Sequence, residues 1–146
     1  MPVTIQFHSA QPTHASAIRQ LLQQVSLPIE DLPDDLPDFV VAQHDTTVVG
    51  VAGLQRYDGL ALLRSVAVAP TYRNRGIADR LVSRLLHDAR EWGLSEVYLI
   101  TTTAGSYFTR HGFGPCERRA VPEVIRQTDQ FSSLCPTSAS IMKRSV

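Results

Sequence analysis

Residues 62–78 constrain this chain more than any other stretch. Strand-forming residues, Val66-Ala67-Val68-Ala69, end at Pro70; an arginine- and glycine-bearing turn follows, and an amphipathic helix starts directly after it. Strand, tight basic turn and helix N-terminus together make an anion cradle. The first amides of a helix have no partner within it and point outward. The helix dipole adds partial positive charge at that end, so a phosphate is the natural guest. The turn reads Arg73-Asn74-Arg75-Gly76-Ile77-Ala78. Gly76 is expected to let the main chain come close to the anion, since a Cβ there would stand in the way. Arg73 and Arg75 are placed to add charge-assisted contacts at the rim. The plain alternative is a helix N-terminus that binds nothing, flanked by two solvated arginines.

Composition narrows the classes of function. The 146 residues suit one domain, 1–146, with length enough for a real core. Fourteen basic and 14 acidic side chains cancel, which argues against nucleic acid as a partner and against adsorption on anionic lipid. No stretch is long and apolar enough to span a bilayer, and no basic region followed by a hydrophobic run marks a secretory leader. Cys116 and Cys135 lack metal-type spacing and fit a reducing, cytoplasmic setting better than a disulfide framework, so no metal is expected.

Periodicity orders the rest. Residues 3–7 alternate as a first strand. Ile18, Leu21, Leu22 and Val25 recur at helical spacing between Pro12 and Pro28. The acidic, proline-rich piece 28–38 reads as a short helical turn plus loop. Strands are expected at 39–42 and 48–54, joined by a hairpin around His44-Asp45-Thr46, and at 60–68 after the turn Tyr57-Asp58-Gly59. The strongest helix is 77–92, with Ala78, Leu81, Val82, Leu85, Leu86, Ala89 and Trp92 on one stripe and Gly93 as its left-handed cap. A strand at 97–100, a two-turn helix at 104–111, a strand at 113–117, a helical turn at 122–127 opened by Pro122, and a strand at 138–143 complete an α/β chain: a mixed sheet of six to seven strands covered by helices.

Arg73-x-x-Gly76-x-Ala78, set between strand and helix and followed by Gly112-Phe113, resembles the (Gln/Arg)-x-x-Gly-x-(Gly/Ala) pyrophosphate loop of the GNAT acetyltransferases. The element order resembles the GNAT acyl-CoA N-acyltransferase fold over nearly the whole chain. The resemblance implies acetyl-CoA as cofactor. Its pantetheine arm would pair with the strand at Val66, Ala67 and Val68, in a gap between strands 60–68 and 97–102. Its diphosphate would lie on Arg73, Asn74, Arg75, Gly76, Ile77 and Ala78, with further contacts at Thr103 and Ser106. Segments 66–73 (VAVAPTYR), 93–102 (GLSEVYLITT) and 107–113 (YFTRHGF) resemble the acetyltransferase domain of N-acetylglutamate synthases. The tail, through Phe131, Leu134, Cys135, Pro136, Ser138, Ala139 and Met142, resembles acetyltransferases associated with arsenic-resistance operons. Both imply N-acetyl transfer to the primary amine of a small amino-acid-like acceptor, and the family includes homodimers.

The chain departs from the family at two places. Phe108 stands where many members carry a tyrosine that protonates the leaving thiolate, and an apolar residue near Leu62 stands where many carry a glutamate base. Tyr107 is turned about a hundred degrees from Phe108 on a helix, so it serves as general acid only if that helix is rotated. An amide at the strand end, Val66 or Val68, suits an oxyanion. Arg64, in an apolar strand, reads in three ways: paired with a substrate carboxylate, with Ser65 beside it; paired with an internal acid such as Asp31 or Asp38; or exposed at a sheet face. His111 reads as a helix C-terminal cation, and Arg118 and Arg119 as solvated charge. Other readings stay open: a polyamine, drug amine or protein N-terminus as acceptor, favoured by the acidic piece 30–38, or a non-catalytic acyl-CoA-binding module.

Overall fold

A computed structural model of the chain describes residues 4–27, 29, 32, 36–101, 104–128, 131 and 139–146. Seven strands form one mixed sheet, in the order β1-β2-β3-β4-β5-β7-β6, with helices flanking it. They are β1 (Gln6–Ser9), β2 (Phe39–His44), β3 (Thr47–Tyr57), β4 (Leu60–Val68), β5 (Glu96–Thr101), β6 (Gly114–Pro115) and β7 (Ser140–Ser145). The helices are α1 (Ala15–Gln24), α2 (Ile77–Glu91), α3 (Gly105–Arg110) and α4 (Glu123–Arg126). The chain gathers into two compact units: Met1–Gln55 with Leu63–Asp88, and Arg56–Leu62 with Ala89–Val146.

The first unit holds β1, β2 and most of β3, β4 and α2. β1 and β3 pair antiparallel with β2, with a register shift between Ala42 and Gln43. The apolar stripe of α1 is buried through Ile18, Leu21 and Leu22, against Phe39, Val41, Val51 and Ala67. A Cβ on Gly50 would lie 3.0 Å from Ile77 and 3.1 Å from Leu81, so the missing side chain lets the start of α2 settle on β3. A Cβ on Gly53 would lie 2.5 Å from the Phe39 ring. Leu81, Val82, Leu85 and Leu86 are buried, as the stripe predicts.

In the second unit β7 pairs antiparallel with both β5 and β6, and Leu62, Tyr98, Val121, Ile125 and Ile141 share one core cluster. α2 ends as its glycine predicts: Gly93 takes φ +76°, its amide donates to Arg90 and that of Leu94 to Ala89.

Several boundaries differ from expectation. β1 starts at Gln6 rather than residue 3, and β3 runs on to Tyr57. β6 has two residues where five were expected, because Gly112 at φ +85° turns the chain before it. Pro122 sits at the N-cap of α4, one place before its first residue. Trp92 lies past the end of α2, 38% exposed, under the guanidinium of Arg56 at 4.0 Å, instead of closing the stripe. Pro28, Glu30, Asp31, Thr103, Leu134, Cys135, Pro136 and Ser138 lie outside the described residues. No helix among the described residues is long and apolar enough to cross a membrane.

Candidate active site

β4 runs as expected from Leu60 to Val68, with Ala67 buried and Val66 and Val68 half-buried. One residue inside it breaks the extended run: Ser65 takes φ +57°. A left-handed non-glycine residue within a strand re-aims its neighbours, and such strain persists only where the surroundings enforce it. Ser65 Oγ accepts from Arg64 Nε at 3.0 Å, and Arg64 Nη1 donates to Gln55 Oε1 at 3.3 Å. Arg64 is 3% exposed, so it does not lie at an open sheet face. Gln55 and Ser65 are partners that the sequence reading did not name. Gln55 lies nine residues back on the preceding strand, where no pattern marks it.

Beyond β4 a 3-10 turn, Pro70–Tyr72, leads into the basic turn. Asn74 and Gly76 are left-handed, at φ +65° and +75°. The amides of Asn74, Arg75, Gly76, Ile77 and Ala78 donate to no main-chain carbonyl among the described residues. Asn74, Arg75 and Gly76 are exposed. Left-handed residues in a tight turn aim successive N–H groups toward a common side, the geometry of an anion-binding concavity. The left-handed φ of Gly76 is one that side-chain-bearing residues rarely adopt, and nothing of the protein lies within 4 Å of where its Cβ would be, which leaves that space open to a ligand. Arg73 Nε donates to Val68 O at 3.3 Å, tying the turn to the end of β4, and the Arg75 guanidinium lies 5.5 Å from the centre of the Tyr72 ring. Amides that donate to no main-chain carbonyl among the described residues, two guanidinium groups and open space around a glycine fit a diphosphate.

The second unit carries Ser106 and Tyr107. Ser106 is exposed on the first turn of α3. Phe108 is buried and meets the Phe113 ring edge-on at 5.9 Å, which sets the rotation of α3 and leaves Tyr107 half-buried on another face. There Tyr107 Oη lies 3.1 Å from His111 Nε2, with the Arg110 guanidinium 5.4 Å from the phenol ring. His111 closes α3 as expected, and its ring engages Tyr107. The spacing of four along a helix was a legible signal for this pair. Arg119 pairs with Glu117 at 2.8 Å on the surface, and Arg118 donates to the carbonyl of Ala139 at 3.5 Å. Burial pushes the Cys116 thiol above its ordinary range, and Glu96 and Glu117 add to this against the opposing pull of Lys143. That thiol is a poor nucleophile. No metal-binding cluster occurs among the described residues.

A mixed sheet whose fourth strand feeds a left-handed basic turn and a helix N-terminus defines a class: an α/β protein suited to a phosphate-bearing ligand. The chain belongs to the acetyltransferase (GNAT) family, whose sequence model matches residues 7–113. Acetyl-CoA-dependent N-acetyl transfer is the chemistry of that family. Among relatives, the chain is 25% identical over 128 residues to the amino-acid acetyltransferase of Neisseria meningitidis, covering 84% of this chain and 29% of that protein. It is 30% identical over 115 residues to the amino-acid acetyltransferase of Escherichia coli, covering 75% of this chain and 26% of the relative. The chain therefore spans less than a third of the length of these two curated relatives. Among solved structures, the Mycobacterium tuberculosis protein Rv2747, in complex with CoA, superposes with a TM-score of 0.82 at 26% identity over 97% of this chain and 99% of that one. N-acetylglutamate synthase from Neisseria gonorrhoeae shares the fold, with a TM-score of 0.83 at 21% identity over 99% of this chain and 34% of that one.

Proposed function

We propose that this chain transfers the acetyl group of acetyl-CoA to the primary amine of a small amino-acid-like acceptor, by direct attack. The observation that carries the reading is the left-handed pair Asn74 and Gly76 at the foot of α2, directly after β4. Acetyl-CoA supplies the activated thioester. The main chain from Arg73 to Ala78 holds its diphosphate, with Arg73 and Arg75 at the rim. Val66, Ala67 and Val68 bind its arm through the backbone, the Val66 amide polarises the thioester carbonyl, and Thr103 and Ser106 add contacts. Arg64, braced by Gln55 and Ser65, is suited to a bidentate carboxylate. That residue and the amino-acid acetyltransferase relatives support the choice of acceptor. Tyr107 protonates the departing thiolate, with His111 as its proton partner. A cytoplasmic setting goes with this reading.

The test is thiol release from acetyl-CoA against a panel of amino acids and of amines that lack the α-carboxylate. Turnover confined to the amino acids is expected. Turnover of the carboxylate-free amines instead would overturn the choice of acceptor. A second reading, a non-catalytic acyl-CoA-binding module, is favoured by Phe108 and Leu62, both buried and apolar where many members of the family carry acid and base. It predicts saturable CoA binding with no release of thiol from any mixture.

A further inference from the structure

A side chain of the hairpin β2–β3 reaches the segment that opens the phosphate-binding turn, and nothing in the family motif calls for it. His44 is the last residue of β2, followed by Asp45 at φ +55°. Its Nδ1 lies 2.6 Å from Tyr72 Oη, 28 residues away, and the two rings meet edge-on at 5.7 Å. His44 Nε2 lies 3.8 Å from the Asp45 carboxylate. That charge favours the ring proton on Nε2, so the lone pair of Nδ1 accepts from the Tyr72 hydroxyl. Tyr72 closes the 3-10 turn immediately before Arg73, and Arg75 rests over its ring. On the other side the same segment is pinned by main chain: the Ala69 amide donates to Val49 O and the Tyr72 amide to Ala69 O, both at 2.8 Å.

We propose that His44 is a positioning residue for the anion-binding turn, holding Tyr72, and through its ring Arg75, in place for the diphosphate of coenzyme A. The inference rests on the cofactor reading above. The bond lies at a half-exposed rim, where the His44 side chain is 35% exposed, so it adds little to stability. What it does is immobilise a turn that must present several donors to one ligand at once, which lowers the entropic cost of binding. His44 touches no reacting atom and acts only through Tyr72.

The experiment is calorimetric titration of CoA into the wild type, His44→Ala, Tyr72→Phe, the double variant and His44→Asn, with thermal melts to establish folding. Tyr72→Phe keeps the ring, its packing and its contact with Arg75, and loses only the hydroxyl. Each single change to Ala or Phe should weaken CoA about fivefold, the effect of one hydrogen bond. The double variant should lose no more than either single, because both remove the same bond. His44→Asn, whose amide stands where Nδ1 stands, should keep affinity within about twofold of wild type. Equal affinity in His44→Ala and wild type, additive losses in the double variant, or no rescue by Asn would each overturn the positioning role. Wild-type protein that binds no CoA would overturn the cofactor reading itself.

Discussion

The turn at residues 73–78 and the helix α3 are both short, polar and proposed to serve the same reaction, yet they are made of different material. The turn works with its main chain: Asn74 and Gly76 are left-handed, and five successive amides donate to no backbone carbonyl among the described residues. α3 works with side chains: Tyr107 and His111 meet at 3.1 Å, and Phe108 is turned toward Phe113. A main-chain site depends on a few residues with permitted dihedrals and tolerates change in the side chains around it. A side-chain site depends on the rotation of a six-residue helix, and buried packing elsewhere sets that rotation.

The sharpest way to break this contrast is to take the glycine out of the turn. Gly76→Val puts a β-branched residue at φ +75° with no protein atom nearby to clash, so the protein should fold while the turn relaxes out of the left-handed region. Losing even one charge-assisted contact to a phosphate costs about 1.5–3 kcal/mol, so CoA affinity should fall about a hundredfold by calorimetry. Asn74→Gly is the matched control. Glycine takes φ +65° freely, and affinity should stay within about twofold of wild type. Normal CoA binding by the Gly76→Val variant would show that the turn is not built from its backbone.

The second break concerns the sheet of the same unit. Gly53→Ala drives a methyl to 2.5 Å from the Phe39 ring, a buried residue that must then move. Overpacking of this kind costs about 2 kcal/mol, to be read from the denaturation midpoint, and Phe39→Leu in the same background should restore part of it. CoA affinity of the folded fraction should not change. The effect belongs to the sheet and spares the turn.

The contrast also explains what a reader of the sequence sees. β4, α2 and the left-handed cap at Gly93 are legible because apolar spacing, Pro70 and glycine restrict the chain locally. Arg64's hydrogen bonds to Gln55 and Ser65 are not: Gln55 becomes a partner only through strand pairing. Ser65 at φ +57° is equally invisible, since serine carries no preference for that region, and so is the meeting of His44 with Tyr72 across 28 residues. Gly76 is legible as a glycine the turn needs, but its left-handed φ of +75° is not. The sequence marks a glycine without saying whether space or dihedral demands it. Against the side-chain half of the contrast, Tyr107→Phe should lower kcat about tenfold with little change in KM for acetyl-CoA, since water can stand in for a lost general acid. His111→Gln should lower it only a few-fold. Wild-type kcat in the Tyr107→Phe variant would remove Tyr107 from the mechanism.

The smallest effect sharpens the comparison at the level of the two units, because their perturbed groups respond to opposite ends of the pH scale. In the first, His14 Nδ1 accepts from the Gln11 amide at 2.9 Å, and burial, then the neighbouring His8, hold its pKa below the ordinary 6.5. The folded state therefore resists the proton that the unfolded chain takes up. Stability from this group is present above pH 6.5 and is lost as pH falls through the depressed value. In the second, burial first, then the charges of Glu96 and Cys116 and the hydrogen bond to Glu96, push Tyr98 from 10 up to about 12. There the unfolded chain releases its proton first, so stability is intact below pH 10 and declines between 10 and 12. Hydrogen exchange in mild acid should show the β1–β2 strands and the start of α1 opening early in the wild type and later in His14→Gln. The fluorescence of Trp92, the single tryptophan and a member of the second unit, should report alkaline unfolding whose slope between pH 10 and 12 flattens in Tyr98→Phe. An unchanged alkaline slope in that variant would mean that the phenol ionises alike in the folded and unfolded chain, and that Glu96, within 3.4 Å of it, does not hold its proton.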